Sequence, residues 1–205
     1  MQNRATARRI EGAGVAAYLS ERNSKVAKPE LNVVSGSKLF TLPADCHPHI
    51  SAIYRYWLEK RGARSMPARR DIDPVEMPPA LLPGICIVDV VPDARRYVYR
   101  LVGTHDVEVR GYDPTGRSVL EAFFGTSAQE TISFYDQVVA SRAPVLDTSS
   151  FRSPETSYTT DETLYLPLSD DAVSVNKVLV FSHSRYVKEH LRYPLRQDNL
   201  SKVLS

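Results

Sequence analysis

The order of the predicted elements indicates an α+β fold with an antiparallel sheet. Two apolar, β-branched runs lie within residues 85–104, on either side of a polar insert that contains a proline, and this pattern is typical of a β-hairpin. A helical pattern follows over residues 126–142, and strand patterns follow it at residues 145–151, 158–168 and 175–183. Strands, then helices, then strands are characteristic of the α+β class.

The hairpin at residues 85–104 organises the rest of the chain. With the turn at the middle of the polar insert, Asp89 is expected opposite Arg100, where opposite charges attract across the ladder. Arg100 shares a strand face with Val98 and Val102. If that face is inward, the guanidinium needs a partner, because a lone buried charge is very costly. Asp89 is the structural candidate, and an acidic ligand is the functional alternative.

A separate amphipathic helix is predicted over residues 49–61. Apolar side chains recur there at helical spacing and include the only tryptophan, Trp57. We interpret Trp57 as a packing residue that holds this helix to the domain. Residues 1–45 contain no recurring apolar face and are predicted to be a flexible tail, although the sequence allows a short helix near residues 14–22.

Composition excludes several classes of protein. The 205 residues are 42% hydrophobic and 24% charged, enough for one domain with a core and tails. A formal net charge of +2 does not fit a protein that binds DNA over its whole surface. The two cysteines stand in no disulfide framework, so we expect a reducing, cytoplasmic location. No run approaches the ~18 apolar residues of a spanning helix, and no signal peptide is expected.

Charge is unevenly distributed along the chain. Residues 71–184 contain seventeen acidic and eight basic residues, whereas the segments on either side are basic. Three arginines stand close together in a proline-rich connector and are candidates for an anion or partner site: Arg64, Arg69 and Arg70. Such a group can hold a phosphate by bidentate hydrogen bonds. The alternative is that these arginines pair with Asp71, Asp73 and the acidic body.

Several stretches resemble a bacterial subfamily of PAS domains. They are YW in the first helix, then RSMPARRDIDP, LLPGICIVDV, YRLVGT, a G-x-x-x-TGRS stretch and YLPLSDD, in that order over roughly residues 49–184. The resemblance implies a five-stranded antiparallel sheet, ordered 2-1-5-4-3, with helices on one face and the amphipathic helix added outside. It divides the chain into a tail (1–45), a helix and connector (46–83), a PAS core (84–184) and a basic tail (185–205).

The sequence lacks the residues by which PAS domains bind their known cofactors. Flavin-binding light sensors resemble this chain at Gly116 and Arg117, but they need a cysteine shortly afterwards, where this chain has Ser118. Oxygen-sensing haem domains use a histidine on the long helix, and residues 126–142 contain none. The Cys-His-Pro-His run at residues 46–49 is too compact for an ordinary zinc finger. We expect no metal site, and the cofactor remains unknown.

The resemblance implies sensing or protein–protein interaction without catalysis. No phosphate-binding loop and no nucleophile elbow are present. We expect a homodimer that acts on a regulatory protein such as a histidine kinase, and that holds a small-molecule ligand between the sheet and the helices at residues 105–142. Residues that can donate hydrogen bonds beside apolar groups are the candidate lining of that cavity: Tyr99, Arg100, His105, Arg110 and Tyr135. The alternative is an effector that binds an anionic second messenger, such as a cyclic dinucleotide, through the three arginines of the connector.

Overall fold

The computed structural model describes residues 40–187, so the sequence-predicted helix near residues 14–22 and most of both predicted tails lie outside the described residues. The described residues belong to one compact unit. No helix within them is long and apolar enough to cross a bilayer. The elements in chain order are α1 (Pro48–Arg61), β1 (Ile85–Val90), β2 (Tyr97–Val102), α2 (Thr104–Arg110), α3 (Ala128–Ser141), β3 (Val145–Asp147), β4 (Phe151–Arg152), β5 (Tyr158–Leu168) and β6 (Lys177–Tyr186).

The strands form one antiparallel sheet in the order β2-β1-β6-β5-β3, with β4 also paired to β5. The predicted α+β class is therefore confirmed. The sheet has six strands and not five, because the weak strand predicted at residues 145–151 is interrupted. Asp147 Oδ1 accepts a hydrogen bond from the Ser149 backbone N at 2.8 Å, and this local turn competes with the ladder and ends β3.

Helix α1 packs against β5 and β6. Ile50, Ile53 and Trp57 on its inner side are 0%, 0% and 1% exposed. The Trp57 Nε1 donates a hydrogen bond to the Pro167 carbonyl oxygen at 3.0 Å, so Trp57 has the packing role that the sequence predicts. Side chains alternate between the two faces of a strand, and the face that α1 covers is opposite the face that carries α3.

The β1–β2 hairpin forms as predicted, but with a different register. Asp89 lies opposite Val98, and the ladder is irregular between Ile87 and Val88. The irregularity is a bulge, with Arg100 as the extra residue between partners. Because Tyr99 lines the cavity, alternation places Arg100 on the opposite face of the strand. The side chain of Arg100 is 69% exposed, so the condition that its face is inward is not met, and its expected place in the cavity lining is wrong. Its predicted partner is right, because Arg100 Nε lies 2.9 Å from the Asp89 carboxylate.

Candidate functional site

A small cavity of about 40 Å³ lies between the sheet and α3. Its walls are aromatic rings, hydroxyl groups and one guanidinium, and include Tyr99, Arg110, Phe124, Thr131, Tyr135, Phe151, Thr163, Tyr165 and Ser182. A water needs roughly 10–15 Å³ of such space, so the cavity has room for a few water-sized groups. Ordinary ligand pockets measure about 300–1,000 Å³.

Among the described residues, Arg110 is the one basic group of the cavity wall. Residues four apart on a helix share a face, and Arg110 Nε donates to Asp106 Oδ2 at 2.6 Å, with the two side chains 7% and 4% exposed. The Nη1 group donates to the Ala122 carbonyl oxygen at 3.3 Å. The guanidinium lies between the rings of Tyr99 and Phe124, 4.8 Å from each centroid. Burial is the largest single influence on the pKa of Arg110 and acts to lower it, but Asp106, Tyr99 and Cys86 together act in the other direction and the net pKa is raised.

Cys86 completes the buried polar group around Asp106. The Cys86 thiol donates to Asp106 Oδ2 at 3.2 Å. Burial, and then the nearby carboxylate, raise the pKa of this thiol well above its ordinary value. Since the thiolate is the reactive form of cysteine, Cys86 is a hydrogen-bond donor to the ion pair and not a nucleophile.

Three buried tyrosines supply neutral hydroxyls to the cavity. Burial raises the pKa of Tyr99 to about 12, and burial also raises the pKa values of Tyr135 and Tyr165. The ring of Tyr135 packs edge-on against that of Tyr165, with 5.1 Å between centroids. Each hydroxyl therefore keeps its proton near neutral pH and can both donate and accept a hydrogen bond.

The rim of the cavity is acidic. The described lining contains three charged residues, Arg110, Glu130 and Asp147. Asp106 balances the charge of Arg110, so the two carboxylates remain. After burial, Asp147 is the next cause of the raised pKa of Tyr165, so its negative charge acts on the interior. The rings of Phe124 and Phe151 meet edge to face at the rim, with 5.0 Å between centroids.

The structure brings together three of the five predicted cavity residues, namely Tyr99, Arg110 and Tyr135. Arg100 lies on the outer side of the hairpin and does not line the cavity. His105 lines a separate groove between α2 and β6, and its ring meets Tyr158 edge-on at 5.5 Å between centroids.

The three connector arginines do not form a common anion site in the structure. Arg64 Nη1 forms an ion pair with Asp71 at 2.7 Å, and Arg69 Nη1 donates to the Ile72 carbonyl oxygen at 3.0 Å. An open pocket of about 370 Å³ is lined by three basic and four acidic residues, which are Lys60, Arg64, Arg70, Glu59, Asp71, Asp73 and Glu76. The acidic excess disfavours a phosphate-bearing ligand.

Sequence reasoning missed Asp106, Phe124 and Tyr165. The pair Asp106–Arg110 carries a detectable signal, because an acid and a base four residues apart on a short helix are expected to interact. Phe124 and Tyr165 carry no such signal. Their place at the cavity depends on a loop and a strand that meet only in the folded domain.

The model of the PAS domain family matches residues 46–181, more than half of the 205 residues. The chain belongs to the PAS domain family. Among solved structures, similar folds include a sensory box sensor histidine kinase from Vibrio cholerae, with 16% identity, a TM-score of 0.38, and 51% of this chain and 82% of that chain covered. A variant of the fungal photoreceptor VVD has 12% identity and a TM-score of 0.40, with 64% and 92% covered. A comparison with curated proteins finds no match.

The cavity of this PAS domain does not fit a flavin. Its volume of about 40 Å³ is far below the roughly 300–1,000 Å³ of small-molecule and cofactor sites. Tyr99, Arg110, Phe124 and Tyr135 fill the space between the sheet and the helices. The cavity therefore has no room for a three-ring cofactor.

Proposed function

We propose that this PAS domain is a non-catalytic sensory module that responds to a small ligand in its cavity and acts through another protein. The observation that supports this most is the Asp106–Arg110 ion pair at the cavity wall. Removing two charges from water is costly, and a domain that needed only packing would be served by apolar side chains. Convergent polar groups in an apolar cavity are the usual mark of a binding site.

The charges of the cavity favour a small polar ligand that is uncharged or cationic. Asp106 already balances Arg110, so the guanidinium has little net charge to offer an acid. Glu130 and Asp147 leave the rim negative, and aromatic faces such as Tyr165 attract cations. This preference is opposite to the acidic ligand considered for Arg100.

Entry of the ligand would be between Phe124 and Phe151, whose edge-to-face contact closes the rim. Displacing Phe124 removes one of the two rings that sandwich Arg110. The neighbouring Phe123 is 39% exposed, so a shift of this loop changes an apolar group at the surface. In this scheme, the surface around Phe123 reports occupancy of the cavity to a partner.

We further propose that the protein is a cytoplasmic bacterial adaptor, that it docks on a regulator such as a histidine kinase, and that it forms a homodimer. The apolar side of α1 is buried within its own chain, so α1 does not offer a free dimer surface. The exposed part of β2, where Leu101 is 42% exposed, is the better candidate. Light scattering at tens of micromolar should give the dimer mass, and a monomer would refute the dimer.

The cavity is tested by a matched pair of substitutions on β6. Ser182 lines the cavity and its Oγ lies 3.1 Å from Thr163 Oγ1. Ser184 does not line it, and its Oγ lies 2.7 Å from Thr160 Oγ1. Ser182→Val should fill the cavity, whereas Ser184→Val removes an equivalent hydroxyl pairing and leaves the cavity open.

Binding can be followed by NMR, with methylammonium, acetamide and acetate as probes at matched ionic strength. Amide shifts around Thr163 and Tyr165 should respond to methylammonium or acetamide and only weakly to acetate. Ser182→Val should abolish the response and Ser184→Val should keep it. Equal responses to acetate, or an unchanged response in Ser182→Val, would refute the proposed site.

The second-messenger alternative makes a different forecast. Calorimetry with cyclic dinucleotides should detect no tight binding, because acidic groups outnumber basic ones around Arg64 and Arg70. Tight binding that disappears when Arg64, Arg69 and Arg70 are neutralised together would refute the proposed cavity site and support the second-messenger alternative.

A further inference from the structure

Three histidines meet where α1 begins, on the sheet face opposite the cavity. The ring of His47 is stacked on that of His183, with 3.5 Å between centroids and 11° between planes. His49 meets His47 edge-on at 5.0 Å. The backbone N of His47 donates to the Glu162 carboxylate at 2.9 Å. Residue 47 therefore joins the start of α1 to both β5 and β6.

His47 is also the N-cap of α1. Its Nδ1 accepts a hydrogen bond from the His49 backbone N at 3.2 Å, which satisfies one of the free N–H groups of the first turn. A ring nitrogen accepts only when it is unprotonated. This cap therefore depends on the neutral form of the imidazole.

Protonation would weaken the start of α1 in three ways. A proton on Nδ1 of His47 removes the acceptor of the cap. The positive charge then lies at the N-terminus of a helix, where the helix dipole disfavours cations. If His183 is also protonated, two like charges face each other across the stack.

We propose that the stacked pair of His47 and His183 is a pH-operated latch that holds the first turn of α1 to β6. This regulatory device is independent of the proposed ligand cavity. Latched, the turn forms one wall of the groove of about 450 Å³ that His49, Phe181 and His183 line. Released, the turn leaves that groove and the adjoining sheet face open.

The charges around the latch oppose one another. The titratable groups that face it are His49 from α1, Asp161 and Glu162 from β5, Arg185 from β6, and His105 and Glu108 from α2 across the groove. Arg185 forms an ion pair with Asp161, with 2.6 Å between Nε and Oδ2. Burial, and then His47, lower the pKa of His183, although Asp161 and Glu162 act in the other direction.

The sign of the pH dependence follows from that lowered pKa. Above the ordinary histidine pKa of about 6.5, His183 is neutral whether the latch is closed or released, and the latch is then closed. Below that pH, His183 takes up a proton more readily in the released state than in the latched state, where its pKa is lowered. The latch therefore weakens as the pH falls, and each unit of pKa difference changes the released fraction about tenfold.

Cys46 gives a direct readout of the first turn. It precedes His47, is half-buried, and its Sγ lies 3.0 Å from Ser51 Oγ within the turn. The other cysteine, Cys86, is buried in the core and reports global unfolding. Alkylation of each thiol is followed by mass spectrometry from about pH 8 to about pH 5. Division by the rate of an unstructured peptide with the sequence around Cys46, measured at the same pH, removes the pH dependence of the thiol in that sequence.

The corrected rate at Cys46 should rise severalfold below about pH 6.5 while Cys86 stays protected. His47→Asn keeps a cap acceptor that does not titrate and should flatten the profile. His183→Phe keeps a stacked ring but removes the second charge, so it should reduce the rise. His105→Gln is the matched control and should leave it unchanged. A flat wild-type profile, joint labelling of Cys86, or a profile that survives both latch substitutions would overturn the proposal. The wild-type profile decides the matter even if a variant fails to fold.

Discussion

Replacing Arg110 with methionine tests the energetics of the cavity wall. The substitution keeps most of the apolar stem between Tyr99 and Phe124 but removes the guanidinium. Asp106, 4% exposed, would then keep only the thiol of Cys86 as a hydrogen-bond donor. Breaking a buried pair by removing one partner costs about 3–5 kcal/mol. Since 1 kcal/mol lowers Tm by about 2–4 °C in a domain of this size, the expected decrease in Tm is roughly 6–20 °C.

The matched variant removes both charges. In Asp106→Leu with Arg110→Met no buried carboxylate is left unpaired, and replacing a whole buried pair by apolar groups is often neutral. We would measure urea unfolding of four proteins: wild type, the two single variants and the double variant. Together they form a double-mutant cycle, which gives the interaction energy of Asp106 with Arg110. If Arg110→Met costs less than about 1 kcal/mol, or if the double variant is no more stable than the single ones, the pair is not buried as described.

Three further substitutions separate buried from exposed roles. Trp57→Ala should lower the free energy of unfolding by about 3–5 kcal/mol, because a fully buried indole is lost; a negligible change in Tm would refute the packing of α1. Arg100→Met should change stability by less than about 1 kcal/mol, because Arg100 is exposed and Asp89 keeps its ion pair with Lys177; a large loss would place Arg100 inside the domain after all. Gly103→Ala should destabilise strongly, since a Cβ there would lie 2.2 Å from the Pro83 carbonyl oxygen; wild-type stability in urea would contradict that close approach.

Most of the fold is predictable from the sequence because its elements carry local periodicity. The apolar spacing in α1 and the alternation in β5 place both elements close to their observed bounds. The register of β1 and β2 is not predictable in this way. The bulge at Arg100 leaves no mark in the apolar pattern, and a shift of one residue exchanges the two faces of a strand.

The candidate site is only partly predictable, for a related reason. The chemistry of Tyr99 and Arg110 predicts both as cavity residues, and both lie at the cavity. His105 has similar chemistry but lies in the groove between α2 and β6. His105 and Arg110 both lie on α2, and their different positions depend on which side of this helix faces the sheet. Because α2 is only seven residues long, its apolar pattern is too short to predict that side. The stacking of His47 on His183 joins residues far apart in sequence, and no local rule indicates it.

A small molecule held in the cavity should be visible by native mass spectrometry of protein purified under non-denaturing conditions. Wild type and Ser184→Val should carry the same small adduct of fixed mass, because both leave the cavity open. Ser182→Val should be free of it, because the valine fills the space beside Thr163. Bare wild-type protein, or the same adduct on Ser182→Val, would contradict a ligand in this cavity.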